Sequence, residues 1–177
     1  MFSDVGDTAL VFLVPEVERA IRSWRSAHDP SAAEGMPAHI TVLYPFIAEG
    51  DLREATLNEL KAVCDKWQPI EVEFAEFGHF PGVLWLNPNS VQCLELITRV
   101  RDTFPQCLPY GRSDLKVIPH LTITDGASEQ IVAQAQADIA PHLPPKAMIS
   151  VIALMAFDGN GWVCQHEFEL GSDLASG

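Results

Sequence analysis

The stretches His39-Ile40-Thr41-Val42 and His120-Leu121-Thr122-Ile123 repeat one pattern of histidine, apolar residue, threonine and apolar residue. In a β-strand, alternate side chains point to the same face, so each histidine shares a face with its threonine while the aliphatic side chains enter a core. Two such strands facing each other would place two imidazoles and two hydroxyls around one small space. One imidazole could then accept a proton while the other donates one, which suits cleavage of a phosphate ester.

The same order of elements occurs twice along the chain, with the two motifs at equivalent places. Each half reads as a strand, a helix, the histidine strand, a helix and a strand, and one further strand ends the second half. We predict one domain over residues 1–177 with halves at about 8–80 and 82–170. The predicted strands are Thr8–Val14, Ala38–Tyr44, Ile70–Phe74, Gly82–Asn87, Val117–Thr124, Ala147–Phe157 and Trp162–Leu170, with a turn at Gly78–Gly82 and helix starts at Pro15, Asp51, Ser90 and Ser128.

The charge balance and composition argue against several classes of protein. The 177 residues carry 24 Asp and Glu against 11 Lys and Arg, a net charge of −13, whereas a long nucleic-acid footprint needs clustered cations. No apolar run approaches the roughly 20 residues of a transmembrane helix, and no signal peptide is apparent. The four cysteines, Cys64, Cys93, Cys107 and Cys164, form no CxxC motif. We therefore expect reduced thiols in a cytoplasmic protein.

Two histidines with two hydroxyls can carry out phosphoester chemistry near neutral pH. Cleavage of a 2′,3′-cyclic phosphate requires water to lose a proton as it attacks phosphorus, and the departing ribose oxygen to gain one. A neutral imidazole can accept the first proton and an imidazolium can supply the second. The hydroxyls of Thr41 and Thr122 can donate to the non-bridging phosphate oxygens, where negative charge develops. This scheme requires no metal and no cofactor.

These residues resemble the two-histidine (2H) phosphoesterase superfamily, whose mark is a pair of HxTx or HxSx motifs. Within it, the chain is similar to the 2′-5′ RNA ligase family, also called RNA 2′,3′-cyclic phosphodiesterases. The resemblance runs from about Thr8 to Leu170 and rests on Leu10–Pro15, His39–Phe46, Val83–Leu86 and Pro119–Ile123.

The resemblance implies an α+β fold with two lobes related by a pseudo-twofold axis. Each lobe would be an antiparallel sheet with outer helices, and the motifs would face each other across a central cleft. It also implies His39 and His120 as acid and base, Thr41 and Thr122 as phosphate-binding groups, and 2′-phosphates as products. We expect His120 to take the water proton, His39 to protonate the leaving oxygen, and the protein to be a monomer.

The chain departs from this family pattern after the second motif. Many RNA-processing members carry a basic residue there, whereas this chain has Thr124 and Asp125. The departure and the acidic charge balance favour small cyclic nucleotides, ADP-ribose cyclic phosphate or an RNA end over long RNA. Lys116 lies four positions before His120, so an unbroken strand would direct it into the cleft, where it could contact the phosphate. The alternative interpretation is that Lys116 is a solvated surface lysine.

Other interpretations of the same residues stay open. A single histidine on an apolar strand is usually structural, and only the equivalence of the two strands favours a functional pair. One alternative is a metal-dependent hydrolase that uses both motif histidines with His79 or Asp125, and another is a non-catalytic nucleotide-binding module. We interpret Tyr44 and Trp85 as packing residues first, with base stacking as the second possibility for Trp85.

Overall fold

The structure is a computed structural model that describes residues 3–114, 116–143 and 146–171. The helices are α1 (Pro15–His28), α2 (Pro30–Ala33), α3 (Glu54–Cys64), α4 (Val91–Thr103) and α5 (Glu129–Ile139). The strands are β1 (Thr8–Leu13), β2 (His39–Leu43), β3 (Ile70–Glu73), β4 (Glu76–Phe80), β5 (Val83–Asn87), β6 (Leu121–Thr124), β7 (Lys146–Ile149), β8 (Val151–Phe157) and β9 (Trp162–Glu169). None of the described helices is long and apolar enough to cross a membrane.

Turn and capping residues set most of the helix starts. Pro15 occupies the first turn of α1, and the side chains of Ser90 and Ser128 accept the backbone N–H groups of Cys93 and Ile131 at the starts of α4 and α5. The prediction that Asp51 caps the start of a helix is wrong. That residue ends a 3₁₀ turn, and α3 begins three positions later without a side-chain cap.

The strands form antiparallel sheets, which confirms the α+β prediction. Within the described residues, hydrogen bonds define three sheets, in the orders β2-β1-β8-β9, β3-β7 and β4-β5-β6, which is one more than the two expected. The turn predicted at Gly78–Gly82 is instead strand β4 up to Phe80, paired along its length with β5. The single strand predicted at Ala147–Phe157 divides at Ser150, because β7 pairs with β3 while β8 pairs with β1 and β9.

The two motif strands occupy matching places in their sheets. In β1-β2, Thr41 lies opposite Val11, with a bulge immediately before Val11. In β5-β6, Thr122 lies opposite Trp85, with a bulge immediately before Trp85. The helices also match, since α1 packs against β6 and α4 packs against β2. This correspondence supports the predicted duplication, which stays a prediction.

The four-stranded sheet separates two layers of apolar side chains. Leu10 and Phe12 of β1 belong to the main core, whereas Ala9 and Val11 alternate to the other face. There they join a smaller cluster that includes Met36 and residues of β8 and β9. Ala9, Val11 and Met36 also line the cleft between the motif strands, so this layer is the floor of the site.

A buried ion pair fixes the segment that leads into β2. The guanidinium of Arg25, 2% exposed, donates from Nε and Nη2 to one carboxylate oxygen of Asp29 at 3.0 and 2.9 Å. It also donates to the backbone carbonyl of Met36 at 3.2 Å, while the other Asp29 oxygen accepts the backbone N–H of Ser31. The pair thus joins the end of α1, the start of α2 and the approach to His39.

Replacing Asp29 by Asn tests this ion pair. The amide keeps a side-chain oxygen for the backbone N–H of Ser31 but leaves the Arg25 guanidinium without its nearest carboxylate. We expect the free energy of unfolding, measured with urea, to fall by about 3 kcal/mol.

Asp114→Asn is the matched control, because it removes the same charge from an exposed pair with Arg112. It should leave the urea midpoint unchanged. Equal midpoints for the two variants would contradict the structural importance of the buried pair.

Candidate active site

A cleft between β2 and β6 contains both motifs. Its smaller part, a cavity of about 220 Å³ that we call the histidine chamber, is lined by His39, Thr41, His120 and Thr122 together. A neighbouring cavity of about 400 Å³, the apolar chamber, is lined by Val42, Phe80, Ile97, Pro109, Val117 and Ile118, among others. His120, Thr41, Tyr44 and Tyr110 line both chambers, so the chambers meet at these side chains.

The two histidines are held in the same way. Nδ1 of His39 lies 2.8 Å from the backbone carbonyl oxygen of Pro37, and Nδ1 of His120 lies 2.6 Å from that of Ile118. A carbonyl oxygen only accepts hydrogen bonds, so Nδ1 carries the proton in both neutral rings. In each case the acceptor lies two residues before the histidine. The Nε2 atom of each ring therefore stays available as an acceptor for a ligand.

Removal from water lowers the pKa of both imidazoles. Burial is the largest cause for His39 and lowers its pKa to about 4, with repulsion from the Arg25 guanidinium and from His120 adding to the effect. The hydrogen bond to Pro37 and the charge of Asp29 oppose this shift. Burial also lowers the pKa of His120, against its bond to Ile118. Both rings are therefore neutral at pH 7.

Two tyrosines complete the junction between the chambers. Tyr110 lines both chambers together with Thr41, and its backbone N–H donates to the carbonyl of Tyr44 at 2.8 Å. The ring centroids of Tyr44 and Tyr110 lie 6.0 Å apart in an edge-to-face contact. Burial raises the pKa of both hydroxyls, that of Tyr44 to about 12, so both are protonated near neutral pH.

Sequence reasoning misses both tyrosines as site residues. Alternation away from His39 predicts packing for Tyr44, but Tyr44 follows the last residue of β2 and its ring lines both chambers. Tyr110 reaches the cleft from the distant turn Pro109–Gly111, where its φ of 51° is unusual for a residue with a side chain. That strain is visible only in the folded chain, and such strain is often found at functional sites.

Lys116 does not share the histidine chamber. The predicted strand from Val117 begins only at Leu121, so the alternation that would aim Lys116 at the motif residues is absent. The exposed Lys116 lines the apolar chamber instead, together with Arg101. Its place beside the cleft suits a contact with a remote charged group of a ligand, rather than with the phosphate between the histidines.

Of the residues considered for a metal site, His79 lies outside the histidine chamber. His79 is exposed, and its Nε2 lies 3.0 Å from the side-chain oxygen of Gln136, whereas Asp125 lines the histidine chamber. No group of three His, Cys, Asp or Glu side chains suited to a metal ion occurs among the residues that the structure describes. The four cysteines are free thiols away from both chambers, three of them buried.

Comparisons with known proteins agree with this geometry. A sequence model of the 2′-5′ RNA ligase superfamily matches residues 13–161, a span that contains both motifs. A "putative phosphoesterase" of Bacillus cereus strain B4264 is 26% identical over 120 residues, which cover 68% of this chain and 69% of that protein. A protein with the same description from Geobacillus thermodenitrificans strain NG80-2 is 30% identical over 102 residues, which cover 57% of this chain and 58% of the length of that protein.

Solved structures share the fold over nearly the whole chain. E. coli LigT complexed with 3′-AMP superposes with a TM-score of 0.63 at 17% identity, covering 94% of this chain and 99% of LigT. TT0787 of Thermus thermophilus superposes with a TM-score of 0.58 at 19% identity, covering 93% and 98%. The superfamily match spans most of the sequence, and the resemblance based on the paired motifs is confirmed: the chain belongs to the 2′-5′ RNA ligase superfamily of 2H phosphoesterases.

Proposed function

We propose that this protein is a metal-independent phosphodiesterase that hydrolyses the 2′,3′-cyclic phosphates of small nucleotides or RNA ends to 2′-phosphates. The observation that carries the proposal is the matched anchoring of His39 and His120. Each ring binds a backbone carbonyl through Nδ1, and both rings line one chamber with their Nε2 atoms available. A cyclic phosphate between them would meet one proton acceptor and one proton donor.

The proposed reaction balances protons between the two rings. Water attacks phosphorus and passes one proton to Nε2 of the neutral imidazole. The bond between phosphorus and the ribose 3′ oxygen breaks, and that oxygen takes the proton from Nε2 of the imidazolium. Each ring has then exchanged its protonation state with the other, and solvent restores the starting state. The retention of phosphate on the 2′ oxygen follows from the family resemblance.

The surroundings of the two rings favour His39 as the base and His120 as the acid. Burial lowers the pKa of His39 to about 4, and repulsion from Arg25 adds to this shift against the opposing charge of Asp29, whereas no charged group among the described residues contributes to the lowered pKa of His120. This difference favours His120 over His39 as the ring that carries the proton when the pair holds one. This assignment reverses our expectation from the sequence, in which His120 was the base and His39 the acid, and part of it depends on the buried charge of Arg25 in the last turn of α1.

Hydroxyl groups around the chamber would hold the phosphate. Thr41 and Thr122 line the histidine chamber with the two histidines, and the Tyr110 side chain lines it as well. Preorganised donors aimed at the non-bridging oxygens stabilise the negative charge that grows there in the transition state. No lysine or arginine lines the histidine chamber within the described residues, so these neutral donors and the imidazolium are the groups that would offset the charge.

The size and charge of the cleft support a small nucleotide as the substrate. The chain carries a net charge of −13, and Asp29, Glu34 and Asp125 line the histidine chamber. Glu34 and Asp125 would repel the phosphodiester backbone of a long RNA, whereas Arg25 offsets the charge of Asp29. Crystal structures of E. coli LigT with 3′-AMP, NADP+ and ATP show that this fold neighbour binds small nucleotides. ADP-ribose cyclic phosphate and short RNA ends therefore stay in the candidate set.

Replacing either motif histidine by Asn tests the two-histidine mechanism. The Asn amide can still donate to the carbonyl of Pro37 or Ile118, but it lacks an atom at the position of Nε2. We expect His39→Asn and His120→Asn each to lower kcat on 2′,3′-cyclic AMP by about 10²–10⁴-fold, with binding of 2′-AMP retained in calorimetry.

His79→Asn is the matched control for these variants, because His79 is exposed and lines neither chamber. It should keep full activity, and EDTA should not reduce the activity of the unmodified protein. Loss of activity in His79→Asn, or on chelation, would favour the metal-dependent alternative. Wild-type protein that binds 2′-AMP but turns over no cyclic phosphate would favour the binding module.

The pH dependence of kcat/KM tests the lowered pKa values. The productive free enzyme carries one proton on the pair, so kcat/KM should follow a bell whose acid limb reflects His39 near pH 4. Its alkaline limb should lie below pH 6.5, because burial lowers the pKa of His120. Above that point kcat/KM should fall about tenfold per pH unit in initial-rate measurements. A constant value between pH 5 and 9 would contradict the account.

A further inference from the structure

The two halves differ at one pair of equivalent positions beside the motif strands. On the first side, Val11 lies opposite Thr41 and pairs with Ala153 of β8 on its other flank. On the second side, Trp85 lies opposite Thr122 and pairs with Gly78 of β4. The strand pairing and the bulge are the same, but an aliphatic pair on one side corresponds to an indole over a glycine on the other.

Gly78 provides the space that the indole occupies. A Cβ atom added at Gly78 would overlap the six-membered ring of Trp85, so no other residue fits beneath the indole in its present position. The backbone of Gly78 has an ordinary strand conformation, and the glycine is therefore required for space rather than for φ. The indole consequently lies over Gly78 of β4, on the face of the sheet that it shares with Thr122 opposite.

The indole and a neighbouring phenyl ring form one wall around His120. The ring centroid of Trp85 lies 5.7 Å from that of His120, and the centroid of Phe80 lies 5.4 Å from it in an edge-to-face arrangement. The two aromatic rings also contact each other at 5.2 Å. Both distances to the imidazole are within the range in which an aromatic ring attracts a cation.

Trp85 has no hydrogen-bonding role that would explain its position. Its indole Nε1 is buried and has no acceptor among the residues that the structure describes. A buried N–H without a partner destabilises a fold, so this side chain is a poor choice for stability alone. The contacts of Trp85 with His120 and Phe80 therefore explain its position better than a contribution to stability does.

We propose that Trp85 and Phe80, with Gly78 beneath the indole, are positioning residues that orient the imidazole of His120 and favour its protonated form. This inference rests on the proposed function, because it makes His120 the proton donor of the pair. Any side chain at these positions would exclude water, but only an aromatic face also attracts the imidazolium. The equivalent Val11 and Ala153 lack this property, and His39 instead has the Arg25 charge nearby.

Other titratable groups also face His120 and must stay unchanged in a test. Those in the histidine chamber are His39, Asp29, Glu34 and Asp125, those in the apolar chamber are Arg101 and Lys116, and Tyr44 and Tyr110 line both. The test therefore changes only the apolar wall and leaves every charge in place.

Titration of His120 in aromatic-wall variants tests the proposal without requiring turnover. Trp85→Leu and Phe80→Leu keep an apolar side chain but remove the aromatic face. We expect NMR titration of the His120 ring to give a pKa about 0.5 lower in each variant than in the wild type. Trp24→Leu is the matched control, because Trp24 stacks on His28 at 5.7 Å and lines neither chamber. It should leave the His120 pKa unchanged.

A glycine variant tests the orienting role separately. Gly78→Ala forces the indole to move, so we expect kcat on 2′,3′-cyclic AMP to fall about tenfold with little change in KM. In the Trp85→Leu background the same substitution has space and should change kcat by less than about twofold.

Two results would overturn the proposal. One is a His120 pKa in folded Trp85→Leu and Phe80→Leu proteins that equals the wild-type value. The other is an equal effect of Gly78→Ala in both backgrounds. Absence of cyclic phosphate hydrolysis in the wild type would instead reject the proposed function, and the titration would still be informative about the wall.

Discussion

The hydrogen bond from each motif histidine to the carbonyl two residues earlier is the constraint on which the site depends. Without it, an imidazole on a strand can rotate and exchange its tautomer, and the position of its basic nitrogen is undefined. The bonds from Nδ1 of His39 to Pro37 and of His120 to Ile118 fix both properties locally. Two prolines, Pro37 and Pro119, lie in these short approaches to the strands and restrict their backbone further. Pairing of β2 and β6 with their sheets then aims both rings at one chamber.

Much of this arrangement could be predicted from the sequence because strand alternation is a local property. The motif His39–Val42 determines which side chains share a face, and the burial of Ile40 and Val42 agrees with that prediction. The antiparallel α+β fold could also be predicted, through family resemblance and the repeated element order. The turn predicted at Gly78–Gly82 is wrong because Gly78 lies within a strand, where the absence of a side chain allows an indole to approach closely.

Features that depend on distant contacts could not be predicted. Tyr110 joins the site through a backbone bond to Tyr44, which lies far earlier in the chain, and no motif indicates it. Burial, which mainly lowers the pKa of His39, is set by the folded chain, and so is the smaller contribution of Arg25, which the fold buries beside Asp29. The different roles that we propose for the two histidines therefore rest on their surroundings, whereas the motifs themselves are nearly identical.

The most direct test of the central claim is a crystal structure of the protein with a uridine–vanadate complex, which mimics the five-coordinate phosphorus of the transition state. The account predicts the vanadium between the two rings, with Nε2 of His39 and Nε2 of His120 each about 3 Å from a different vanadate oxygen. The Nδ1 atoms should keep their bonds to Pro37 and Ile118. A vanadate bound to only one of the two rings, or held outside the chamber that they share, would contradict it.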